Sequence, residues 1–133
     1  MIRYLWHHLR RFFLPSAQLK NVFLFWGAVL LLINALNWLL AHYIVGRIIV
    51  SGQDLALLHY NVNFGVNLIG PIREMYTLPF IGLMVTVVNY FIVVALDRWQ
   101  DAKFVTHLLM ACAVVVNFVL LGGLFSLYLI NFY

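Results

Sequence analysis

Asn34, Asn37, Asn89 and Asn117 are the side chains whose type and position carry the most chemistry in this sequence. They lie inside three long apolar runs, at 22–45, 78–96 and 104–130, that contain no carboxylate, amine or guanidinium. A primary amide offers two donors and a carbonyl acceptor. Left unsatisfied in hydrocarbon, those groups cost several kcal/mol. The four asparagines are therefore expected to face protein and to bond across helix interfaces, each such bond being worth roughly 0.6–2 kcal/mol. Asn89, with its full amide, is expected to matter more than the nearby Thr86. Lining a polar path is the alternative use for the same side chains.

Other chemistry has less support. Proton-coupled transporters place ionisable groups at mid-membrane, and these runs have none. Three spans are also too few for an inverted-repeat fold. Ser16, Ser51 and Ser126 lack a His/acid pattern, and the acids are Asp54, Glu74, Asp97 and Asp101. Asp97 and Asp101 belong to a connecting turn with Arg98 and Lys103. His42 and His59 fall at one end of the runs, and His7, His8 and His107 at the other. His42 and His107 thus cannot share a haem, and His59 sits in a connection rather than on a helix. Cys112 is the only cysteine, so it has no disulfide partner and no zinc partner. It reads as a small buried hydrophobe. No catalytic group, metal or cofactor is expected, and the chain does not read as an enzyme.

The elements that must position the asparagines follow from composition. Of 133 residues, 65% are hydrophobic and 9% charged, far below the ~25% charge of a soluble domain. Each apolar run is about long enough to cross ~30 Å of hydrocarbon at ~1.5 Å per residue. The fold class is all-α transmembrane, a single integral membrane domain over 1–133. The first run is too long for a signal-peptide core and lacks a clear cleavage site, so it reads as a retained span. Residues 1–15, with Arg3, His7, Arg10 and Arg11 opposite an apolar face, read as an amphipathic interfacial helix ended by Pro15. Ser16 can cap the next helix. Residues 97–103 form a short polar turn. Gly122 and Gly123 are expected to loosen the third span.

Orientation comes from the basic residues. Arg3, Arg10, Arg11, Lys20, Arg98 and Lys103 fall on one side, and Arg47 and Arg73 on the other. The positive-inside rule puts the N-terminus and the 97–103 turn in the cytoplasm, with the 46–77 connection and the C-terminus outside. Trp99, Tyr43, Tyr76 and Tyr128 fall where an aromatic belt would. No basic run suits a nucleic-acid groove, so nucleic acid is not an expected partner.

The connection is the least generic segment. From Tyr60 to Leu68, apolar residues alternate with Asn61, Asn63, Gly65 and Asn67. Strict period-two alternation predicts one extended strand with an apolar face. RIIV at 47–50 reads as its upstream partner, with SGQD at 51–54 as the turn. The expectation is a β-hairpin over 47–68 on the outer face, ended by Gly70-Pro71. Tyr60, Asn61, Asn63, Phe64 and Asn67 are its candidate docking residues, with Phe64 packed inward. The segment LLHYNVNFGVNLIGP also resembles one in small three-helix membrane proteins of candidate-phyla bacteria. The resemblance is at motif level, within about 55–75. It implies a bacterial cytoplasmic membrane and brings no activity or assigned site.

Two functions fit. The first is a non-catalytic accessory or structural subunit of a membrane assembly, its partners being the bilayer and other membrane chains or copies of itself. The second is a homo-oligomeric channel whose pore loop lies at 55–70, with DLALLHY as a short pore helix.

Overall fold

The computed structural model describes residues 19–61, 65–96 and 101–133, without the side chains of 60–61 and 65–67. The expected interfacial helix at 1–15, residues 62–64 and most of the 97–103 turn lie outside that range. The order is helix α1 (Lys20–Val50), strands β1 (Leu55–Asn61) and β2 (Gly65–Pro71), a 3-10 turn (Ile72–Tyr76), α2 (Thr77–Leu96) and α3 (Ala102–Phe132). All three α-helices are long and apolar enough to cross a bilayer, the architecture of a multi-pass membrane protein.

Outward and inward faces are both apolar, and what separates them is packing. On α1, Leu30, Asn34, Asn37, Ala41, Ile44 and Ile48 are buried. These positions alternate steps of four and three, the heptad seam of helices that coil around one another. The opposite face presents Leu39, 66% exposed, and Phe25, 62% exposed. Such exposure suits lipid, not water. On α3 the buried positions are Ala102, Thr106, Met110, Ala113, Asn117 and Leu124. α3 packs closely along both other helices, while α1 and α2 approach each other less closely.

Helix lengths differ in a way that explains the hairpin. α2 has 20 residues, or about 30 Å, one hydrocarbon thickness. α1 and α3 have 31 residues each, or about 46 Å. Their last turns rise past the start of α2 and would lack a third partner. The 3-10 turn and β1 fill that corner. Met75 and Ala56, both fully buried, join Ile44, Ile48 and Leu124 in one cluster. A second apolar cluster, Leu30, Val93, Met110 and Ala113, holds the opposite half.

The hairpin is antiparallel, with Leu55 opposite Pro71 and Asn61 opposite Gly65. The pairing is irregular between Leu57 and Tyr60. Its outer edge on β1 is occupied. Asn131, near the end of α3, accepts from the Leu57 N–H at 2.9 Å and donates to the Leu57 carbonyl at 2.9 Å. One side-chain amide thus supplies both bonds that a neighbouring strand would. Its remaining donor reaches Leu127 O at 2.8 Å, so the amide is fully used.

Several expectations change here. RIIV at 47–50 is not a strand but the last turn of α1. Burial of Ile48 beside Ile44 outweighs the modest β preference of its branched residues. SGQD is correspondingly a helix cap rather than a hairpin turn. Gly52, at φ +76°, donates to Ile49 O at 3.0 Å, and Gln53 donates to Ile48 O at 3.4 Å. This is the Schellman ending that favours glycine. The continuous strand expected from Tyr60 to Leu68 is divided between β1 and β2. DLALLHY is mostly β1, not a short helix. α3 runs unbroken through Gly122 and Gly123, and Cys112 is exposed rather than buried. A thiol is apolar enough to face lipid.

Asn131→Leu should leave the three helices intact and release the hairpin edge. Losing both bonds to one buried-side residue costs about 1–3 kcal/mol. Amide exchange at Leu57 should accelerate about tenfold or more, while exchange at mid-helix amides stays unchanged.

Candidate functional site

Between the two apolar clusters lies a layer of hydrogen-bonding side chains from all three helices. Thr86 is its centre. Its hydroxyl donates to Gly82 O at 2.9 Å, one turn back on α2. It accepts from Asn34 Nδ2 on α1 at 3.1 Å and from Asn117 Nδ2 on α3 at 3.3 Å. A hydroxyl has one donor and two acceptor sites. All three are used, and one oxygen atom ties three helices together.

Asn117 is fully buried and is the second junction. Its two Nδ2 hydrogens are shared among three acceptors, Thr86 Oγ1, Ala113 O at 2.9 Å on its own helix and Gly82 O at 3.3 Å across the interface. Asn37, also fully buried, donates to Asn117 O at 3.2 Å and lies 3.5 Å from Asn117 Oδ1. Asn34 adds a bond to Leu30 O at 3.0 Å. Gly82 makes the layer sterically feasible. A Cβ there would collide with Asn117 Oδ1, so only glycine lets this amide lie against the α2 backbone. Two acceptors, Asn34 Oδ1 and Asn37 Oδ1, are buried without a partner among the described residues. Carbonyl oxygens are the less costly groups to leave so.

The layer sits halfway along α2. Thr86 is nine residues past Thr77 and ten before Leu96. With α2 crossing a bilayer, the layer falls at the middle of the hydrocarbon, where exchange with water is least available.

The structure thus brings Asn34, Asn37 and Asn117 together and leaves Asn89 out. Asn89 is half-buried, and its side chain bonds to no described residue. Because Thr86 bonds to both neighbouring helices, the geometry leads us to expect Thr86, rather than Asn89, to matter more. Among the docking candidates, nothing is described for Asn63 and Phe64 or for the side chains of Tyr60, Asn61 and Asn67. Asn131 and Gly82 were not singled out from sequence. Asn131 closes an apolar run and reads as its polar end, while Gly82 is one of eight glycines with no local signature.

Two histidines, His42 and His107, join aromatic partners. Trp26 Nε1 donates to His107 Nδ1 at 2.9 Å, tying α1 to α3 at the end away from the hairpin. At the hairpin end His42 Nδ1 lies 3.2 Å from the Tyr76 hydroxyl, and Trp38 stacks on the Tyr76 ring at 5.9 Å. Arg47 sits over the Phe132 ring at 5.4 Å. These contacts form collars near the ends of the spans, where amphipathic rings are favoured.

No protein-family model, no curated protein and no solved structure matches this chain.

Thr86→Val should destabilise the bundle by about 1–2 kcal/mol, since it removes a shared acceptor and a donor in hydrocarbon. Thr86→Ser should stay close to wild type, and Asn89→Leu should cost less than Thr86→Val. Unfolding midpoints in mixed micelles of denaturing detergent give the order. Gly82→Ala should be at least as damaging as Thr86→Val, because Asn117 must leave its place.

Proposed function

We propose that this protein is a non-catalytic accessory or structural subunit of a membrane assembly, multi-pass in a bacterial cytoplasmic membrane. Its N-terminus is cytoplasmic, and its hairpin and C-terminus are extracytoplasmic. The observation that carries this reading is the inward closure of the polar layer. Asn34, Asn37, Thr86 and Asn117 spend their donors on one another and on backbone carbonyls, not on a path through the bundle. The outer helix faces are left apolar, as surfaces for lipid or for other spans. The partners are the bilayer, other membrane chains or further copies, and not nucleic acid.

The channel reading loses support at the segment on which it depends. Residues 55–61 and 65–71 pair with each other, and Asn131 occupies the β1 edge at Leu57. Backbone carbonyls committed in this way are not free to coordinate a passing ion.

Two measurements test the proposal. The detergent-solubilised protein, purified under gentle conditions, should carry a foreign membrane chain at fixed stoichiometry. A pure homo-oligomer that conducts ions in planar bilayers would instead favour the channel. For orientation, a cysteine at Tyr133 in a Cys112→Ala background should react with an impermeant thiol reagent from outside intact cells. Labelling only after the cytoplasmic side is opened contradicts the topology.

A further inference from the structure

Between α1 and α2 a half-open trough of about 360 Å³ faces outward, running from the end away from the hairpin up to Trp38. Phe23, Gly27, Ala35 and Trp38 of α1 and Leu83 and Tyr90 of α2 line it, with Met110 of α3 among its walls. From Phe23 to Trp38 it follows α1 for roughly 22 Å, about one and a half leaflets of a ~30 Å hydrocarbon layer and about the length of an extended acyl chain. The Phe23 and Tyr90 rings meet edge to face at 5.1 Å near one end. The wall is almost wholly apolar. Asn34 and Thr86 border it, but the Asn34 Oδ1 is sealed from the trough surface and the Thr86 hydroxyl is committed to Gly82, Asn34 and Asn117. An occupant therefore needs no hydrogen-bonding group along this length.

Gly27 says more about the occupant. A Cβ at Gly27 would touch none of the described residues, so packing among them does not call for glycine there. Glycine within a helix is nonetheless about 1 kcal/mol less favourable than alanine. Close helix pairing uses small residues one turn apart. Here Leu31, 74% exposed, stands between Gly27 and Ala35 and holds a second helix off. A flexible chain can pass beside Leu31 and settle over both small residues. Lys20, exposed, stands one turn before Phe23 on the same face of α1. That places a cation where the headgroup of a lipid in this leaflet would lie.

We propose that this trough binds one acyl chain of an anionic phospholipid, with Gly27 and Ala35 seating the chain and Lys20 holding the phosphate. Within a bilayer no hydrophobic gain distinguishes the trough from bulk lipid, so retention rests on fit and on charge. The site is independent of whether the protein serves an assembly or a channel.

Native mass spectrometry of the full chain, released from mild detergent with added phosphatidylglycerol or phosphatidylcholine, tests it. One phosphatidylglycerol per chain should survive dilution, with phosphatidylcholine retained less well. Lys20→Gln should lower phosphatidylglycerol retention about fivefold, the worth of one basic residue at an anionic surface. Gly27→Phe and Ala35→Phe should each abolish the adduct by filling the trough. Val119→Phe, on an exposed lipid-facing position of α3 outside the trough, should keep it. Helical circular dichroism checks that each variant folds, and if Gly27→Phe does not, Ala35→Phe and Lys20→Gln decide. Absence of an adduct from the wild type, an adduct indifferent to Ala35→Phe, or a dimeric mass lost in the trough variants would each overturn the proposal.

Discussion

The three-helix arrangement depends on satisfying amide and hydroxyl groups where no water is at hand. Asn34, Asn37, Thr86 and Asn117 are too polar to face lipid, and together they find their partners only when all three helices are in register. Apolar contact alone specifies little in a bilayer, since lipid chains compete on equal terms with leucine. The apolar seam of α1 would pack tolerably in several rotations about its axis. The Thr86 oxygen allows one, because it must meet α1 and α3 at the same depth. Gly82 belongs to the same constraint, as the gap that admits the Asn117 amide.

Length then sets the remaining architecture. With α2 at about one hydrocarbon thickness, α1 and α3 extend past it at the hairpin end. The exposed corner is covered by β1 and the 3-10 turn, through Ala56 and Met75. A two-stranded hairpin is marginal by itself in water. Here it gains an apolar seat and, on the β1 edge, the Asn131 amide in place of a third strand. The Schellman ending at Gly52 turns the chain from α1 into that hairpin with its last carbonyls satisfied. α1 and α2 share less surface with each other than either does with α3, and the trough lies in the space between them.

Much of this was legible in the sequence, for physical reasons. Runs of apolar residues without charge have one stable form in hydrocarbon, so the three helices could be read directly. Asparagine is costly there, and three of the four named amides do lie in the buried layer. The face on which each stripe packs was harder, because both sides of every helix are apolar and periodicity has little contrast. Asn89 illustrates the limit: depth could be read from its position in the run, but rotation about α2 could not. At the connection, the alternation from Tyr60 to Leu68 pointed to extended structure, yet the chain reverses within it. RIIV was misread because local preference for strand is small beside burial of Ile48. Asn131 acts across 74 positions of sequence, a contact that no local pattern encodes.

The central claim is that the polar layer couples the helices, rather than merely occupying space between them. A double-mutant cycle on Thr86 and Asn117 addresses it directly, with Thr86→Val and Asn117→Leu measured singly and together by reversible unfolding in mixed micelles. If the two side chains share one network, their effects should not add. The coupling should be about 0.6–2 kcal/mol, with the double variant little worse than the poorer single one. Additivity within about 0.3–0.5 kcal/mol would contradict the account. It would mean that the seam residues alone hold the three helices in place.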